Sequence, residues 1–385
     1  EDFSIMSIGQ CSLGYSNKAV NNAVIRAINK GSTSSLNSYE EVNLAENLLK
    51  IHNDFHMVRF ARTGGEACSI AIRIARAATK RSKIIASGYF GWHDWYLASN
   101  LKNKKSLDNL LLPGLDTSGV PKELKGTTLA LKYGDEPGLK SLFRKNPKKI
   151  AAVIVEVQRN RNPNLKFLKL AKQLCNKHGA VLIFDEISSG FRINLGGIYL
   201  NYGLKPDIAT LGKALGNGFP ISAIMGKKSV MQYAQETFIS SSYWTERLGY
   251  TAALETLKEY KKNKVDSHLK NIGKFFDEQF IKIMEDLKLP YKNSGLISVP
   301  AISFNSGDQL LDLKIKTFLT QELLKRRYIF SNTIYLSYKH NKENINRFFE
   351  NFHEVLKNDS RNFSHNFFKK KIIGPICHSG FKRLT

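Results

Sequence analysis

The chain has 385 residues, of which 42% are hydrophobic and 24% charged, values that exclude a collagen-like, mostly disordered or disulfide-scaffold chain. The length suggests two or three structural units, and no stretch approaches the roughly 20 apolar residues of a membrane-spanning helix. The formal net charge of +25 raises the question of an anionic partner.

The chain opens with Glu1-Asp2-Phe3-Ser4. It has no starting Met, basic segment or long apolar segment, so we expect no signal peptide and a processed or shortened chain. The cysteines are scattered, without a CxxC pair or a His/Cys cluster. We therefore predict free thiols in the cytoplasm and no metal site. The cysteines are Cys11, Cys68, Cys175 and Cys377.

The first strong helix signal lies at 66–80, where apolar residues recur with a period of 3.6. It opens with Thr63-Gly64-Gly65-Glu66 and is followed by a short apolar run at 84–86. Small residues at a helix N-terminus let backbone N–H groups approach a phosphate. The alternative is an ordinary N-cap in a tight turn.

The middle of the chain alternates apolar runs with an amphipathic segment, which favours a parallel sheet buried on both faces. The helix at 167–178 has a plausible stop at Gly179. The apolar runs are 151–157, which contains Glu156 near its end, 180–184, which precedes Asp185, and 207–211, which precedes Gly212-Lys213.

After residue 250 the sequence becomes richer in helix-period segments. We predict a domain boundary near 255, with a large domain at 1–255 and a small C-terminal domain at 256–385. The predicted elements are a helix-rich segment at 247–285, a strand at 296–304, and helices near 309–327 and 342–357. The tail at 358–385 reads as basic and loop-like, with 367–376 as a candidate docking segment.

Two polar residues that follow predicted strands are candidate functional residues. Asp185 follows a wholly apolar run, and ligands of open α/β sheets bind beyond such ends. Its carboxylate needs a cationic partner when buried, which is a ligand nitrogen or an arginine such as Arg192. Lys213 stands before a glycine-rich turn, where desolvation would lower its pKa and free the amine for a Schiff base; a solvated lysine is the alternative.

Pyridoxal 5′-phosphate (PLP) has three groups by which a protein binds it: a phosphate, a ring nitrogen and an aldehyde. The helix N-terminus, Asp185 and Lys213 suit these three groups in turn. With these residues in place, the chain resembles the class III (fold type I) PLP-dependent aminotransferases, in the subgroup similar to glutamate-1-semialdehyde 2,1-aminomutase. The resemblance covers nearly the whole chain. Its marks are ARTGGEACSIAIRIAR (61–76), GYFGWHDWYLASN (88–100), LIFDEISSGFR (182–192), PDIATLGKALGNGFPISAIMG (206–226) and FISSSYWTER (238–247).

The resemblance implies an α/β fold, a mostly parallel central sheet flanked by helices, with a smaller C-terminal α+β domain. It implies that Lys213 binds the cofactor covalently and moves protons, and that Asp185 pairs with the ring nitrogen. The remaining implied cofactor contacts are Thr63, Gly64 and Gly65 at the phosphate, Tyr89 and Ile187 on the two ring faces, Glu156 close by, and Ser242 at the phosphate of a neighbouring subunit. The placement of Ser242 implies a homodimer with shared active sites.

The sequence departs from the family pattern in three places. Gly65 stands where the family has a hydroxyl residue, Phe90 where it has His, and Ser242 where it has Thr. The family also has an N-terminal segment of some tens of residues before the position of Glu1. These departures motivate one alternative, a degenerate member acting as a binding or scaffold module, although such a module has no need of both Lys213 and Asp185.

The implied reaction moves an amino group to or from a keto or aldehyde carbon, and aminotransferase and aminomutase share every residue named above. Relatives with similar motifs suggest a sugar-like or acidic substrate. An anionic substrate suits the charge, whereas nucleic acid is the weaker alternative, because the basic residues are dispersed and lack a recognition motif. The candidate anion contacts are Arg159, Arg161, Arg192, Arg247 and Lys382-Arg383, each with a surface salt bridge or a solvated position as its alternative.

Overall fold

The computed structural model describes residues 1–108, 110, 112–158 and 162–380. Its described residues fall into two compact units. The larger unit consists mainly of Tyr15–Gln158 and Pro163–Asn263, and the smaller mainly of Glu1–Gly14 and Lys264–Ser379.

The strands are β1 (Asp2–Phe3), β2 (Met57–Ala61), β3 (Lys83–Ser87), β4 (Thr128–Ala130), β5 (Ile150–Glu156), β6 (Val181–Asp185), β7 (Ile208–Leu211), β8 (Ser222–Gly226), β9 (Tyr291–Leu296), β10 (Val299–Phe304) and β11 (Ile329–Phe330). The helices are α1 (Met6–Gly9), α2 (Lys18–Asn29), α3 (Tyr39–Ile51), α4 (Gly64–Thr79), α5 (Asp94–Leu97), α6 (Glu136–Lys145), α7 (Leu165–His178), α8 (Lys228–Met231), α9 (Leu248–Asn263), α10 (Val265–Asp286), α11 (Gln309–Lys325), α12 (Lys342–Asp359) and α13 (His365–Lys371). Short 3₁₀ turns lie at Ala98–Leu101, Lys122–Leu124, Ile198–Tyr202, Lys213–Gly216, Gln232–Ala234 and Ser360–Asn362.

The larger unit is built on a sheet with the strand order β2-β8-β7-β6-β5-β3-β4. The pairs from β7 to β4 are parallel, while β8 is antiparallel to both of its neighbours. The three apolar runs predicted as strands are β5, β6 and β7, and all of their residues except the last of β5 are buried. Burial on both faces explains why these strands read as continuous apolar runs rather than alternating ones.

The helices beside this sheet follow the predicted periodicity. The helix α4 buries the predicted apolar stripe from Ala67 to Ala75, together with Cys68 and Ile72 beside it, and packs against β7 and β8. The helix α7 covers the predicted 167–178 and ends at Gly179, whose φ of +63° is the left-handed conformation expected of a C-terminal glycine. Among the described residues, none of the helices is long and apolar enough to cross a bilayer.

The smaller unit joins both ends of the chain. The strand β1 pairs in parallel with β11, and Phe3 stacks on Phe348 with ring centroids 4.1 Å apart. The strand predicted at 296–304 is confirmed as β10 over 299–304. The prediction missed β9, which ends at Leu296, and the turn at 297–298 that joins the two strands into an antiparallel hairpin. The predicted helical segment at 247–285 is two helices separated at Lys264, which has a φ of +48°.

The division between the units departs from the predicted boundary at 255 in two respects. The helix α9 packs against α2 and α3 along its length, so the larger unit runs to Asn263. The first fourteen residues belong to the smaller unit because β1 pairs with β11. The tail, predicted as a loop, contains α13, and its Phe368 is buried against Phe318 and Phe363.

Candidate active site

The carboxyl edge of the large sheet brings the predicted polar residues together. Glu156 ends β5 and Asp185 ends β6, and these two residues are paired neighbours in the register of the parallel strands. One strand further along, Gly212 and Lys213 follow the end of β7. Parallel strands place their carboxyl ends at one edge of a sheet, which is where ligands of such folds bind.

Asp185 is only 5% exposed and its carboxylate receives three donors. Its Oδ1 accepts from the Ile187 backbone N–H at 2.8 Å and from the Thr210 hydroxyl at 3.3 Å, while Oδ2 accepts from the Cys68 thiol at 3.5 Å. Burial and the neighbouring Glu156 carboxylate raise the pKa of Asp185 to about 7, so this site favours a proton or a cationic partner.

Lys213 lies in a tight 3₁₀ turn with a φ of +44°, and its Nζ donates to the Ser188 Oγ at 2.7 Å. Burial lowers the pKa of Lys213 below its usual value, against the opposing charges of Asp185 and Glu156. A buried amine with a lowered pKa is a better nucleophile and proton acceptor than a solvated lysine. The partial burial of Lys213 and its contact with Ser188 favour the desolvated alternative over the solvated one.

The N-terminus of α4 forms a backbone cradle. The Thr63 side chain accepts from the Glu66 backbone N–H at 3.3 Å, and the Glu66 carboxylate returns to the N-cap backbone, which makes a capping box. A Cβ on Gly64 would lie 2.8 Å from the Cγ2 of Ile187. Only glycine therefore lets the helix backbone approach Ile187 this closely, and the first N–H groups of α4 remain available to an anion.

Tyr89 and Glu156 are connected directly. The Tyr89 backbone N–H donates to the Glu156 Oε2 at 3.1 Å, and the half-buried Tyr89 ring meets Tyr96 edge-on with centroids 6.0 Å apart. A Cβ on Gly88 would lie 2.7 Å from the same carboxylate oxygen. The structure thus gives Glu156 a role that the sequence did not indicate. Its carboxylate holds the loop that carries Tyr89.

Sequence reasoning missed the residues that orient the site. Cys68 and Thr210 contact Asp185, and Ser188 contacts Lys213. Cys68 is buried on α4 beside the predicted apolar stripe, so the sequence indicated neither its burial nor its partner. Ser188 lies within the LIFDEISSGFR motif and two residues before a glycine, but adjacent serines do not reveal which hydroxyl faces the lysine.

Other predicted residues lie elsewhere in the structure. Ser242 is exposed in a turn, and no hydrogen bond among the described residues connects it to the cluster. The Arg247 guanidinium is held by Glu40, with N–O distances of 2.9 and 3.1 Å, which is the salt-bridge alternative. Arg192 is 1% exposed, close enough to Lys213 to lower its pKa further. Arg159, Arg161, Lys382 and Arg383 lie outside the described residues.

The residues that meet at this edge fit PLP. The exposed N–H groups of α4 suit a phosphate, the buried Asp185 carboxylate suits a protonated ring nitrogen, and the Lys213 amine suits an aldehyde. Ile187 is 8% exposed beside Gly64 and offers an apolar surface to a flat ring. Each of these three protein groups therefore suits a different group of the cofactor, and neighbouring residues already orient Asp185 and Lys213.

Comparisons with known proteins agree with this geometry. A family model described as aminotransferase class-III matches residues 2–294. The chain is 32% identical over 333 residues to the glutamate-1-semialdehyde 2,1-aminomutase of Methanococcus vannielii, covering 84% of this chain and 76% of the relative. It is 30% identical over 355 residues to the 3-aminobutyryl-CoA aminotransferase of Cloacimonas acidaminovorans, covering 89% and 81%.

A solved structure shares the fold. The FumI protein of Sphingopyxis sp. MTA144, solved in its PLP internal aldimine form, superposes with a TM-score of 0.84 at 23% sequence identity. The alignment covers 95% of this chain and 87% of that one. This likeness confirms the predicted α/β fold with its mostly parallel central sheet.

Proposed function

Since the chain belongs to the class-III aminotransferase family, a family of PLP-dependent enzymes, we propose that it transfers an amino group to or from a keto or aldehyde carbon of a small anionic or sugar-like substrate. The observation that carries this proposal is the joint placement of Lys213, Asp185 and the N-terminus of α4 at one edge of the sheet. Each of these groups suits a different part of the same cofactor.

The bound cofactor supplies an electron sink that stabilises the carbanion formed when a proton leaves the carbon beside the amine. In this proposal Asp185 keeps the ring nitrogen protonated, because its buried carboxylate is stabilised when a cation lies beside it. Gly64 and Gly65 donate backbone N–H groups to the phosphate, with Thr63 as the residue that caps the helix around them. Ile187 and Tyr89 pack against the two faces of the ring.

Lys213 has two functions in this proposal. Its amine would hold the cofactor through the aldehyde, and the same Nζ, when free, would accept the proton from the substrate carbon. The lowered pKa of Lys213 supports both functions, since each needs an unprotonated amine. The Ser188 hydroxyl, which accepts from Nζ at 2.7 Å, holds the amine at the edge of the sheet. The amine is thereby positioned close to the substrate carbon from which it takes the proton.

The proposed assembly is a homodimer in which Ser242 reaches the phosphate of the second subunit. Large apolar side chains are exposed on both sides of Ser242 in the chain, with Phe238 at 85% and Tyr243 at 64%. Next to them, a cavity of about 440 Å³ is lined by Glu41 and Trp244, among others. The Glu41 Oε2 and the Trp244 Nε1 are buried there with no partner in the described part of the chain, which supports an incomplete surface that a second copy covers.

The substrate class is argued from charge. The net charge of +25 attracts anions, and the compounds after which the two relatives are named, glutamate-1-semialdehyde and a coenzyme A thioester, carry anionic groups. The aminomutase in the comparisons favours a second candidate, in which the amine moves to a neighbouring carbon of one molecule. Incubation with an amino donor alone separates the two, because transfer releases a keto product and stops at one equivalent, whereas a mutase isomerises its substrate without a net keto product.

The experiment that tests this function is borohydride reduction of the protein with PLP, followed by peptide mass mapping. We expect the visible absorption of the bound cofactor to disappear and a reduced pyridoxyl group to be found on Lys213. The matched control is Lys213→Ala, which should bind the cofactor without covalent attachment. A wild-type protein that takes up no PLP, or that is labelled on other lysines only, would contradict the proposal.

A further inference from the structure

His93 occupies the space beside Gly65 that a side chain at position 65 would fill. A Cβ on Gly65 would lie 2.8 Å from the His93 Cε1 and 3.0 Å from its Nδ1. The resembled family carries a hydroxyl residue at this position of the motif, and the chain carries glycine instead. The imidazole therefore stands where that side chain would begin, at the first turn of α4.

A second glycine brings the loop that carries His93 close to the first turn of α4. A Cβ on Gly91 would lie 3.1 Å from the Gly65 Cα, so the two glycine backbones are nearly in contact. The φ of Gly91 is +94°, a backbone conformation that residues other than glycine rarely adopt. Two glycines thus bring the loop to the helix N-terminus, and His93 is the side chain that enters the gap.

The ring of His93 is held in place. Its backbone carbonyl accepts from the N–H groups of Tyr96 and Leu97 at 2.9 and 3.2 Å, which anchors it to the start of α5. On the outer side, the Trp92 ring stacks on the imidazole with centroids 4.6 Å apart and an angle of 16°. Such a fixed ring presents its nitrogen atoms in a definite direction and loses little conformational entropy when it binds a ligand.

One nitrogen of this ring lacks a partner. The His93 Nδ1 is buried and accepts or donates no hydrogen bond among the described residues. Buried polar atoms are nearly always paired, and an exception in a native structure often marks the place of a ligand. Since Nδ1 lies within 3.0 Å of the Gly65 Cβ position, the unpaired nitrogen faces the same first turn of α4 that offers its backbone N–H groups.

We propose that His93 is a binding residue for the cofactor phosphate and replaces, with its Nδ1, the hydroxyl that Gly65 lacks. The inference rests on the proposed function, because it needs the phosphate at the N-terminus of α4. An imidazole N–H donates to a phosphate oxygen as a hydroxyl does, and a donor to an anion forms one of the stronger hydrogen bonds in proteins. Gly65 and His93 then act together, because the absence of a side chain at Gly65 makes room for the imidazole of His93.

The test measures the affinity of the apoprotein for PLP and the ³¹P NMR signal of the bound cofactor. The variant His93→Phe fills the same space without a donor, and we expect its dissociation constant to rise about 10- to 100-fold, the loss typical of a hydrogen bond to a charged group, with a shifted phosphate signal. The matched control, His353→Phe, makes the same change at a half-buried histidine of α12 in the smaller unit and should change the affinity by less than about threefold.

A double variant makes the test specific. Gly65→Ser alone places a Cβ against the imidazole and should weaken binding, whereas Gly65→Ser with His93→Ala regains space and hydroxyl together and should bind PLP within a few fold of wild type. Non-additivity of this kind is the signature of two residues that share one contact. Melting temperatures of all variants verify that the fold is retained.

Two outcomes would overturn the inference, and they are distinguishable. If wild type forms the pyridoxyl-Lys213 adduct and His93→Phe binds PLP with unchanged affinity and phosphate signal, His93 only fills space and the proposed function stands. If wild type neither binds PLP nor forms the adduct, the proposed function fails and the inference fails with it.

Discussion

Glu156 and Asp185 are direct neighbours at the ends of two parallel strands, so the site sets two carboxylates side by side. The consequence is visible in Asp185, whose pKa burial and the Glu156 charge raise to about 7. An ionised pair in a buried place costs free energy unless a cation lies between or beside the two groups. In the apoprotein the two carboxylates therefore repel each other at alkaline pH, and a protonated ring nitrogen beside Asp185 would relieve that repulsion.

The first prediction follows from this repulsion. Because the folded pKa of Asp185 lies above its ordinary value of 3.8, the stability that its proton gives to the folded apoprotein is present at low pH and is lost as the pH rises through about 7. We expect Asp185→Asn to melt at a higher temperature than wild type at pH 8, without cofactor, and to lose this advantage at pH 5. Thermal unfolding of both apoproteins across this range is the measurement.

The same substitution should have the opposite effect on the holoenzyme, since asparagine carries no charge for the ring nitrogen. Wild type should therefore gain more melting temperature from PLP than the variant does. An apo variant that is less stable than wild type at pH 8 would contradict the argument from buried charge.

The second prediction compares two adjacent serines. The Ser188 Oγ accepts from the Lys213 Nζ at 2.7 Å, whereas Ser189 donates to the buried carboxylate of Glu186. We expect Ser188→Ala to lower kcat by about tenfold with little change in melting temperature, because the amine loses its positioning contact. Ser189→Ala should lower the melting temperature and leave kcat nearly unchanged.

Steady-state kinetics and thermal unfolding of the two variants separate these roles. The residues share a loop, a size and a chemical type, so each serves as the control for the other. A kcat loss shared equally by both variants would show that the loop as a whole, rather than the contact to Lys213, determines the rate.

The sequence predicts the central strands of the sheet well because each is a continuous apolar run that can be recognised without knowing its neighbours. The runs that became β5, β6 and β7 are apolar throughout, and Gly179 ends α7 where the helical period stops. The hairpin β9–β10 escaped prediction because its turn at 297–298 is Ile-Ser, which lacks the glycine, proline or asparagine that usually reveals a two-residue turn.

The site is predictable to the extent that it depends on strand ends. Asp185 and Lys213 follow apolar strands directly, and this position marks them in any parallel sheet. Ser188 and His93, in contrast, act through contacts that only the folded chain defines, with Lys213 in one case and Gly65 in the other. The pairing of β1 with β11 is likewise invisible, since more than 300 residues separate the two strands.

The third prediction concerns a buried histidine away from the site. His52 is 1% exposed, its Nδ1 lies 2.7 Å from the Tyr199 hydroxyl, and burial lowers the pKa of His52 to about 4. A folded pKa below the ordinary value of 6.5 gives stability that is present above 6.5 and is lost as the pH falls through about 4. The loss for this single group is about 3 kcal/mol.

We expect His52→Gln to remove this part of the acid sensitivity, since glutamine does not titrate. The variant should be less stable than wild type at pH 8, where the neutral histidine packs best, and should close this gap as the pH falls toward 4. Chemical denaturation at several pH values gives the two free energies of unfolding. A gap that is independent of pH would mean that burial does not lower the pKa of His52.

The fourth prediction tests the shared active site. Ser242 is exposed within one chain and is proposed to contact the phosphate bound by the partner subunit, so Ser242→Asp should weaken cofactor binding by placing a carboxylate against the phosphate. Lys213→Ala is inactive for a different reason. If one site uses Lys213 from one chain and Ser242 from the other, a heterodimer of the two variants contains one intact site, and we expect it to show about half of the wild-type activity per dimer.

The measurement uses co-expression of the two variants with different tags and purification on both tags in succession. Each homodimeric variant, purified alone, is the control and should show little or no activity. An inactive heterodimer would place Ser242 in the site of its own chain, an active Ser242→Asp homodimer would place it in neither site, and a failure of the two tags to co-purify would contradict the dimer itself. Recovery of activity from two inactive chains, in contrast, requires that each site draws its residues from both subunits.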